Sequence, residues 1–226
     1  MNPSALRINR LAEMLSAKSY VEIGVQSGTT FLDVNVPQRT AVDPNFAFDY
    51  TPYISSSVSF RAETSDHFFS TIDRTTTYDL IFIDGLHQFE QVARDFTNSI
   101  IHSHPRSVII LDDTEPNDIY SASPNMAETM KFRRAAGHQD DSWHGDVYKI
   151  VFFIHDFCPA LDYKTIVGSG NPQTIVWRSN NFCRKPRFNS LEAISRMTYY
   201  QLMENIDILR ESEEGAVLEA VIGELT

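Results

Sequence analysis

The chain has 226 residues, 42% of them hydrophobic and 22% charged, which is the balance of a soluble globular protein with one substantial domain. Its 19 basic and 30 acidic residues give a formal net charge of −11, which disfavours proteins that hold nucleic acid by neutralising phosphates. No apolar run approaches the roughly 18 residues that span a bilayer, and the start lacks a signal-peptide core. We therefore expect a cytoplasmic protein with neither nucleic-acid nor membrane partners.

Cysteine usage agrees with a reducing compartment. Cys158 and Cys183 are the only two cysteines, and neither belongs to a Cys-x-x-Cys pair. The sequence therefore indicates neither a disulfide scaffold nor a thiolate zinc site.

The first half of the chain alternates predicted helices and strands. Apolar residues at helical spacing over residues 4–17 predict an amphipathic helix. Short apolar runs then predict three strands, at 20–24, 40–43 and 58–62. A glycine turn after the first strand is expected to open a helix, and a short helix is expected to begin at His67.

The second half continues the alternation and then becomes less regular. The pattern predicts a fourth strand at 80–84, a helix at 89–101 and a fifth strand at 108–112. A polar segment follows, after which the remaining expectations are a helix at 126–136, strands at 148–157 and 174–177, and a mainly helical region from 191. The last two strands have no clear helix between them, which favours an antiparallel pair at one edge.

This alternation predicts an α/β fold. We expect a Rossmann-like, doubly wound, mostly parallel seven-stranded sheet with an antiparallel edge and helices on both faces. The whole chain is predicted to be a single domain. Its expected parts are an N-terminal helix (1–18), a first half (19–113), a second half (114–190) and a C-terminal helical region (191–226).

Acidic residues end two neighbouring predicted strands. Asp84 follows the fourth strand, and Asp112 and Asp113 follow the fifth. Ligands of open parallel sheets bind beyond the carboxyl ends of the strands, so these side chains are expected to share one crevice. Three carboxylates there would repel one another unless a cation or a shared proton compensates. The pattern predicts a site that holds a metal, although Asp is also favoured as a helix N-cap.

Several motifs occur in an order typical of one enzyme superfamily. They are Val21-Glu-Ile-Gly-Val-Gln-Ser-Gly-Thr-Thr30, Ala41-Val-Asp-Pro44, Tyr78-Asp-Leu-Ile-Phe-Ile-Asp-Gly-Leu-His87 and Trp143-His-Gly-Asp-Val-Tyr-Lys149. Together they resemble class I S-adenosylmethionine-dependent methyltransferases. Within that superfamily the chain is most similar to the small-molecule O-methyltransferase branch, which carries Asp-Gly-x-His after strand four and Asp-Asp after strand five. The resemblance spans about residues 18–150. It implies that 19–113 is the cofactor-binding half and 114–190 the substrate-side half.

The resemblance implies a cofactor site at the first strands. Gly24 and Gly28 let the backbone pass close to a ligand, and their spacing lacks the full Gly-x-Gly-x-x-Gly pattern of dinucleotide sites. Asp43 would accept both ribose hydroxyls, as an acid does in nucleotide-binding sheets. The full set of expected S-adenosylmethionine-binding residues is Glu22 for the methionine part, Gly24, Gly28, Thr29, Asp43, Ser65 and Asp66 in the loop bordering adenine, and Asp84.

The same resemblance implies magnesium and a catalytic base. In catechol-type and sugar O-methyltransferases, acids at the positions of Asp84, Asp112 and Asp113 hold Mg²⁺, which suits hard oxygen ligands and two neighbouring substrate hydroxyls. His87 lies at the position of the lysine base of catechol-type enzymes, and its ordinary pKa near 6.5 suits proton transfer. Asp84 and His87 are therefore the expected catalytic residues.

The acceptor is expected to be a small molecule bearing a hydroxyl, such as a sugar or glycosylated metabolite. Segment 114–147 is expected to build its pocket or a lid, since loops past strand ends vary function in such folds. Trp143 and His144 either line that pocket or pack structurally. A basic cluster around Phe182 (Arg178, Arg184, Lys185 and Arg187) either binds an anionic group of the acceptor or is solvated.

Two other interpretations of the function stay open. A non-catalytic S-adenosylmethionine-binding protein would keep the fold without turnover, and a nicotinamide-dependent oxidoreductase would share a Rossmann-like sheet. The missing Gly-x-Gly-x-x-Gly pattern argues against the oxidoreductase. The terminal region with Ile206, Leu209, Val217 and Leu218 could pack within the chain or form a homodimer contact.

Overall fold

A computed structural model describes residues 2–179 and 184–225, so Phe182 and Cys183 lie outside the described residues. The strands are β1 (Ser19–Ile23), β2 (Gln38–Val42), β3 (Val58–Arg61), β4 (Tyr78–Ile83), β5 (Ser103–Leu111), β6 (Leu161–Ile166) and β7 (Gln173–Arg178). The helices are α1 (Pro3–Leu15), α2 (Ser65–Thr71), α3 (Phe89–Ile101), α4 (Met126–Ala135), α5 (Lys149–Phe157), α6 (Leu191–Ser195), α7 (Tyr199–Glu204) and α8 (Glu214–Leu225).

The strands form one seven-stranded sheet in the order β3-β2-β1-β4-β5-β7-β6. Strands β1 to β5 pair in parallel, whereas β7 runs antiparallel to both β5 and β6. The chain order reverses between β1 and β4, where such sheets open a crevice at the carboxyl ends. The predicted mixed, mostly parallel sheet with an antiparallel edge is confirmed.

Both faces of the sheet are buried. Along β4, Ile81 and Ile83 join the hydrophobic cluster that α2, α3 and α5 cover, while Leu80 and Phe82 join the cluster that α1 and α8 cover. A strand alternates its side chains between faces, so a run that is apolar at every position serves both clusters. This explains why the central strands read as continuous apolar segments.

The predicted strand at 148–157 is wrong, because Lys149–Phe157 forms helix α5. Ile150, Val151, Phe152 and Ile154 are all fully buried, so this helix is apolar around most of its surface. Periodicity alone cannot separate such a short buried helix from a buried strand. The antiparallel edge is made instead by β6 with β7, and β6 was not predicted.

The turn after β1 does not open an α-helix as predicted. It leads only to a single 3-10 turn at Phe31–Asp33. Val34 and Val36 disfavour helix through their branched side chains, and Pro37 pushes the residue before it into extended backbone. Smaller differences are that α2 begins at Ser65, two residues before the predicted start, and that β5 begins at Ser103.

The C-terminal region is mainly helical, as predicted. Leu209, Val217 and Leu218 are buried against the chain's own core, and Ile206 packs against it. Within 2–179 and 184–225, no helix is long and apolar enough to cross a membrane.

Candidate active site

Two acidic side chains lie at the carboxyl ends of β1 and β2. Glu22 is 1% exposed, and Tyr20 donates its hydroxyl to Glu22 Oε2 at 2.6 Å. Burial raises the pKa of Glu22 well above its ordinary value. Asp43 accepts the backbone N–H groups of Gln26 at 2.8 Å and Asn45 at 2.7 Å, one on each carboxylate oxygen. These bonds hold the Asp43 carboxylate at the strand end with lone pairs left to accept hydroxyl groups.

The backbone angles and close neighbours of Gly24 and Gly28 require glycine at both positions. Both have positive φ, +87° at Gly24 and +77° at Gly28. A Cβ at Gly24 would lie 2.0 Å from the Asp84 carbonyl oxygen, and one at Gly28 would lie 2.7 Å from the Phe48 ring. The close approach of β1 to β4 therefore explains Gly24 without any ligand. Thr29 sits in the same turn, where its hydroxyl bonds that of Ser27 at 2.8 Å.

Ser65 and Asp66 were expected in a loop, but they form the first turn of α2 behind the N-cap Thr64. Gln91 of α3 donates to Ser65 Oγ at 3.1 Å and to Asp66 Oδ1 at 3.4 Å. Strands β2 and β3 are parallel neighbours, so their carboxyl ends lie at the same edge of the sheet. The turn at Ser65 and Asp66 follows β3 and therefore lies at the same edge as Asp43.

A cluster of two acids and one histidine lies beyond β4 and β5. Asp84, His87 and Asp113 each offer a ligand atom, and these atoms lie within 4.8 Å of one another. His87 Nε2 is 3.6 Å from Asp84 Oδ1, and His87 Nδ1 is 3.1 Å from Asp113 Oδ2. The N-cap of α3 is Gln88, so Asp84 does not cap that helix. We call these three residues the Asp-His-Asp cluster.

Asp112 has different surroundings from Asp113. Asp112 Oδ1 accepts from Asn171 Nδ2 at 2.7 Å, from Gln173 Nε2 at 3.2 Å and from the Asp113 N–H at 3.0 Å. Asp113 has a left-handed backbone with φ +58°, which an aspartate tolerates better than most residues. The structure thus brings two of the three expected metal ligands together with His87 and places Asp112 among amide donors.

His87 is held from several sides by residues 143–146. The Trp143 ring stacks on the imidazole at 4.9 Å between centroids, and His87 Nδ1 lies 3.0 Å from the Trp143 carbonyl oxygen. Asp146 accepts the N–H of Phe89 at 2.8 Å. These contacts favour the packing role for Trp143 over the pocket-lining role.

The charges of this cluster depend on one another. Burial alone would lower the pKa of His87, but the hydrogen bond to Asp84 and the charges of Asp113 and Asp84 raise it to about 9. Burial and the charge of Asp112 raise the pKa of Asp84 to about 7. In the free protein His87 is thus cationic at neutral pH. A protonated imidazole cannot accept a proton, so the expected base role of His87 would require that this proton leave first.

Asn171 is a site residue that sequence reasoning missed. Its amide nitrogen donates to both Asp112 Oδ1 and Asp113 Oδ1, and its oxygen lies 3.3 Å from His144 Nε2. His144 is buried, and its Nε2 is 3.7 Å from Asp113 Oδ1. The only sequence signal was the turn-forming run Gly168-Ser-Gly-Asn-Pro172 between β6 and β7.

The three arginines of the basic cluster bind other residues of the chain. Arg184 pairs with Asp162 at 2.9 Å, and Arg187 pairs with Asp207 at 2.7 Å. Arg178 donates to Ser103 Oγ at 3.1 Å. These contacts favour a structural role over the anion-binding alternative.

The structure has two cavities whose linings do not include the Asp-His-Asp cluster. A groove of about 850 Å³ separates α3 from α6 over Phe153. A cavity of about 340 Å³ is lined by part of segment 114–147, which includes Asp146, and by Lys149 and residues 197–200. The smaller cavity is the one to which the expected acceptor segment contributes.

Residues 21–114 match the family model described as a methyltransferase domain. This segment, 94 of the 226 residues, is similar to a methyltransferase domain. This match and the sheet order confirm the predicted resemblance to S-adenosylmethionine-dependent methyltransferases, a class of enzymes.

Solved structures share the fold of this chain. The O-methyltransferase TomG from Streptomyces achromogenes, solved with S-adenosylmethionine, is 16% identical with a TM-score of 0.51, covering 78% of this chain and 79% of TomG. An O-methyltransferase from Bacillus cereus, solved with S-adenosylhomocysteine, is 15% identical with a TM-score of 0.51, covering 77% of this chain and 80% of that protein. At such identities the likeness shows the fold alone. No curated protein sequence matches the chain significantly.

Proposed function

We propose that this methyltransferase transfers a methyl group from S-adenosylmethionine to a hydroxyl of a small molecule, a sugar or glycosylated metabolite, with the assistance of Mg²⁺. The observation that carries the proposal is the row of acids at the carboxyl ends of adjacent strands. Glu22, Asp43 and Asp84 follow or end β1, β2 and β4, on either side of the reversal in strand order. In sheets of this type the ligand binds at that edge.

The cofactor half of the proposal rests on Asp43. Its two oxygens are fixed by backbone N–H groups, so the carboxylate is oriented before any ligand arrives. A preoriented carboxylate loses little freedom when it accepts the two ribose hydroxyls. Glu22, buried beside Tyr20, would receive the ammonium group of the methionine part or a water attached to it.

The acceptor half rests on the Asp-His-Asp cluster. Asp84 and Asp113 offer the hard oxygen atoms that suit Mg²⁺, so the residues present fit a divalent cation. A bound cation would favour loss of the proton from an acceptor hydroxyl. The chain itself would hold that hydroxyl in line with the methyl group and exclude water, since the sulfonium needs no further activation. A sugar suits such a site because it presents two neighbouring hydroxyls.

The test of the cofactor half is calorimetric binding of S-adenosylmethionine and S-adenosylhomocysteine to the purified chain and to Asp43→Asn. We expect both ligands to bind and Asp43→Asn to lose about 10- to 100-fold in affinity, the value of hydrogen bonds to a charged group. Asp49→Asn is the matched control, because Asp49 is an exposed acid in the loop after β2 that accepts from the Thr51 N–H at 3.0 Å.

The control should bind as the unaltered chain does. Equal affinities for Asp43→Asn and the unaltered chain would remove Asp43 from the cofactor site. No binding of either ligand to the unaltered chain would contradict the proposed function. Cofactor binding would justify a screen of sugars and glycosylated metabolites for methyl transfer.

A further inference from the structure

We propose that the cavity of about 340 Å³ beside residues 197–200 binds the part of the acceptor that does not react, and that this part is an uncharged aromatic ring with an oxygen that accepts a hydrogen bond. The acceptor is then an aryl glycoside rather than a free sugar. This inference rests on the proposed function and narrows its substrate class.

The walls of this cavity, which we call the ring cavity, are mainly apolar. They come from residues between 119 and 124 after β5, from residues 197–200 around the start of α7, and from residues between 146 and 149. The larger apolar and aromatic side chains of the wall are Ile119, Pro124, Tyr148, Met197, Tyr199 and Tyr200. Cavities of this size with such walls are typical ligand sites, and aromatic walls stack on flat rings. The wall therefore favours a ring over a free sugar, whose hydroxyl groups would lack partners there.

The buried part of the lining places one hydrogen-bond donor in the ring cavity. Lys149 is 7% exposed, and its Nζ donates to Asp146 Oδ2 at 2.7 Å and to the Ser195 carbonyl oxygen at 2.8 Å. An ammonium group has three N–H bonds, and the third has no acceptor within residues 2–179 and 184–225. A buried donor without an acceptor destabilises a protein, so the oxygen of the ring ligand belongs at this N–H.

The charges around the ring cavity disfavour an anion. Partial burial and then the charges of Asp118 and Glu115 raise the pKa of Tyr199, which lies in the wall. Arg133 pairs with Asp118 at 2.8 Å, but one Glu115 oxygen is buried without a hydrogen-bond partner in the described part of the chain. The ammonium group in the lining is already paired with a carboxylate. An anionic ligand would meet repulsion without gaining an unpaired cation, so the ligand oxygen belongs to a neutral group such as a ketone or an ether.

Trp143 links the ring cavity to the proposed reaction site. The carbonyl oxygen of Ser123, a lining residue, accepts the indole N–H at 2.7 Å, and the same indole stacks on the His87 ring at 4.9 Å. Asp146, in the buried part of the lining, accepts the N–H of Phe89, two residues after His87. In an aryl glycoside a single oxygen joins the ring to the sugar, which suits two neighbouring sites.

The first experiment is a nuclear magnetic resonance titration of the full chain with acetophenone, benzoate and benzylammonium, which share one ring and differ in charge. We expect acetophenone to bind at least about tenfold more tightly than either ion. Acetophenone binding should weaken about two- to tenfold in Tyr200→Ala, which removes part of the wall. It should weaken about tenfold in Lys149→Met, which removes the donor.

Tyr53→Ala is the matched control, because Tyr53 is also an exposed tyrosine but does not line the ring cavity. Circular dichroism checks that each variant is folded. If Lys149→Met does not fold, Tyr200→Ala decides alone, since Tyr200 is 68% exposed. No acetophenone binding, or equal binding to Tyr200→Ala and Tyr53→Ala, overturns the ring cavity as a ligand site. Tighter binding of benzoate or benzylammonium overturns the assignment of a neutral ring.

The second experiment compares 4-acetylphenyl glucoside with methyl glucoside, which has the same sugar and no ring. We expect the aryl glucoside to bind at least about tenfold more tightly, because its ring leaves water. Equal affinities overturn the aryl glycoside as the acceptor class.

The same samples are titrated with S-adenosylmethionine, so that the two proposals fail separately. Cofactor binding without ring binding overturns only this inference. Ring binding without cofactor binding contradicts the proposed function while it leaves the ring cavity in place as a ligand site.

Discussion

Gly145 is a residue where the addition of one methyl group has a large expected effect on stability. A Cβ there would lie 1.7 Å from the His87 carbonyl oxygen, and φ is +63°. Gly145→Ala adds overpacking to a left-handed backbone, so we expect a loss of about 3 to 4 kcal/mol in the free energy of unfolding. Urea denaturation measures it.

Gly137→Ala is the matched control for that substitution. Gly137 has φ +82°, but a Cβ there would meet nothing within 4 Å. Only the backbone cost of about 1 to 2 kcal/mol should appear. Equal losses of unfolding free energy in the two variants would show that the backbone shifts at little cost to relieve the clash with the His87 carbonyl oxygen.

Glu22 makes the stability of the protein depend on pH. Its pKa is raised in the folded state, so its contribution to stability is complete below the ordinary value of 4.5 and is lost as the pH rises through the folded value. Glu22→Gln is neutral at every pH, so its stability relative to the unaltered chain should increase with pH. Urea denaturation at about pH 5 and about pH 8 compares the two. A difference that is the same at both pH values would contradict the raised pKa.

At the residue scale, the sequence predicts acids better than it predicts their partners. Asp84 and Asp113 end apolar runs, and the ends of adjacent parallel strands must meet. Asn171 has no such signal, because it enters from a turn between strands whose antiparallel placement depends on tertiary packing. The different surroundings of Asp112 and Asp113 follow from one backbone angle, which an Asp-Asp pair does not reveal.

At the scale of elements, Asp146 connects the loop after α4 to two helices. It accepts the N–H of Phe89 at the start of α3 and pairs with the buried Lys149 at 2.7 Å. Asp146→Ala should cost about 3 to 5 kcal/mol of unfolding free energy, since a buried ammonium loses its partner and α3 loses a cap.

Adding Lys149→Met separates these two effects. The double variant buries no unpaired charge, so urea denaturation should show it to be more stable than Asp146→Ala alone. A double variant that is no more stable would mean that the Lys149 charge finds water or another acceptor. Lys149 also donates to the Ser195 carbonyl oxygen at 2.8 Å.

Secondary structure was predicted correctly where the hydrophobic periodicity of the sequence is clear, and incorrectly where it is not. The amphipathic helix α3 was predicted with its observed bounds, 89–101, because its apolar stripe has the helical period. The apolar α5 gave no such period and was predicted as a strand. β6 was missed, since the sequence Leu161-Asp-Tyr-Lys-Thr-Ile166 alternates only briefly and is stabilised as a strand by pairing with β7.

At the scale of the whole molecule, one sheet supports two hydrophobic clusters. Phe82 lies in the cluster under α1 and α8, and Phe96 in the cluster under α3 and α5. If the chain is one domain, as predicted, Phe82→Ala and Phe96→Ala should each lower the unfolding free energy by about 3 to 5 kcal/mol within a single transition. Near-ultraviolet and far-ultraviolet circular dichroism should give coincident curves. Two separated transitions in either variant would divide the chain into two domains.

The insertion of β7 between β5 and β6 has a consequence for synthesis on the ribosome. The parallel strands β1 to β5 can pair as soon as Leu111 has emerged, but β5 then has an open edge until the chain to Arg178 is made. That edge carries the apolar run Val108–Leu111, and an unpaired apolar edge invites pairing with another chain. The arrival of β7, rather than completion of the parallel half, is therefore the step that protects the growing polypeptide from strand-to-strand association.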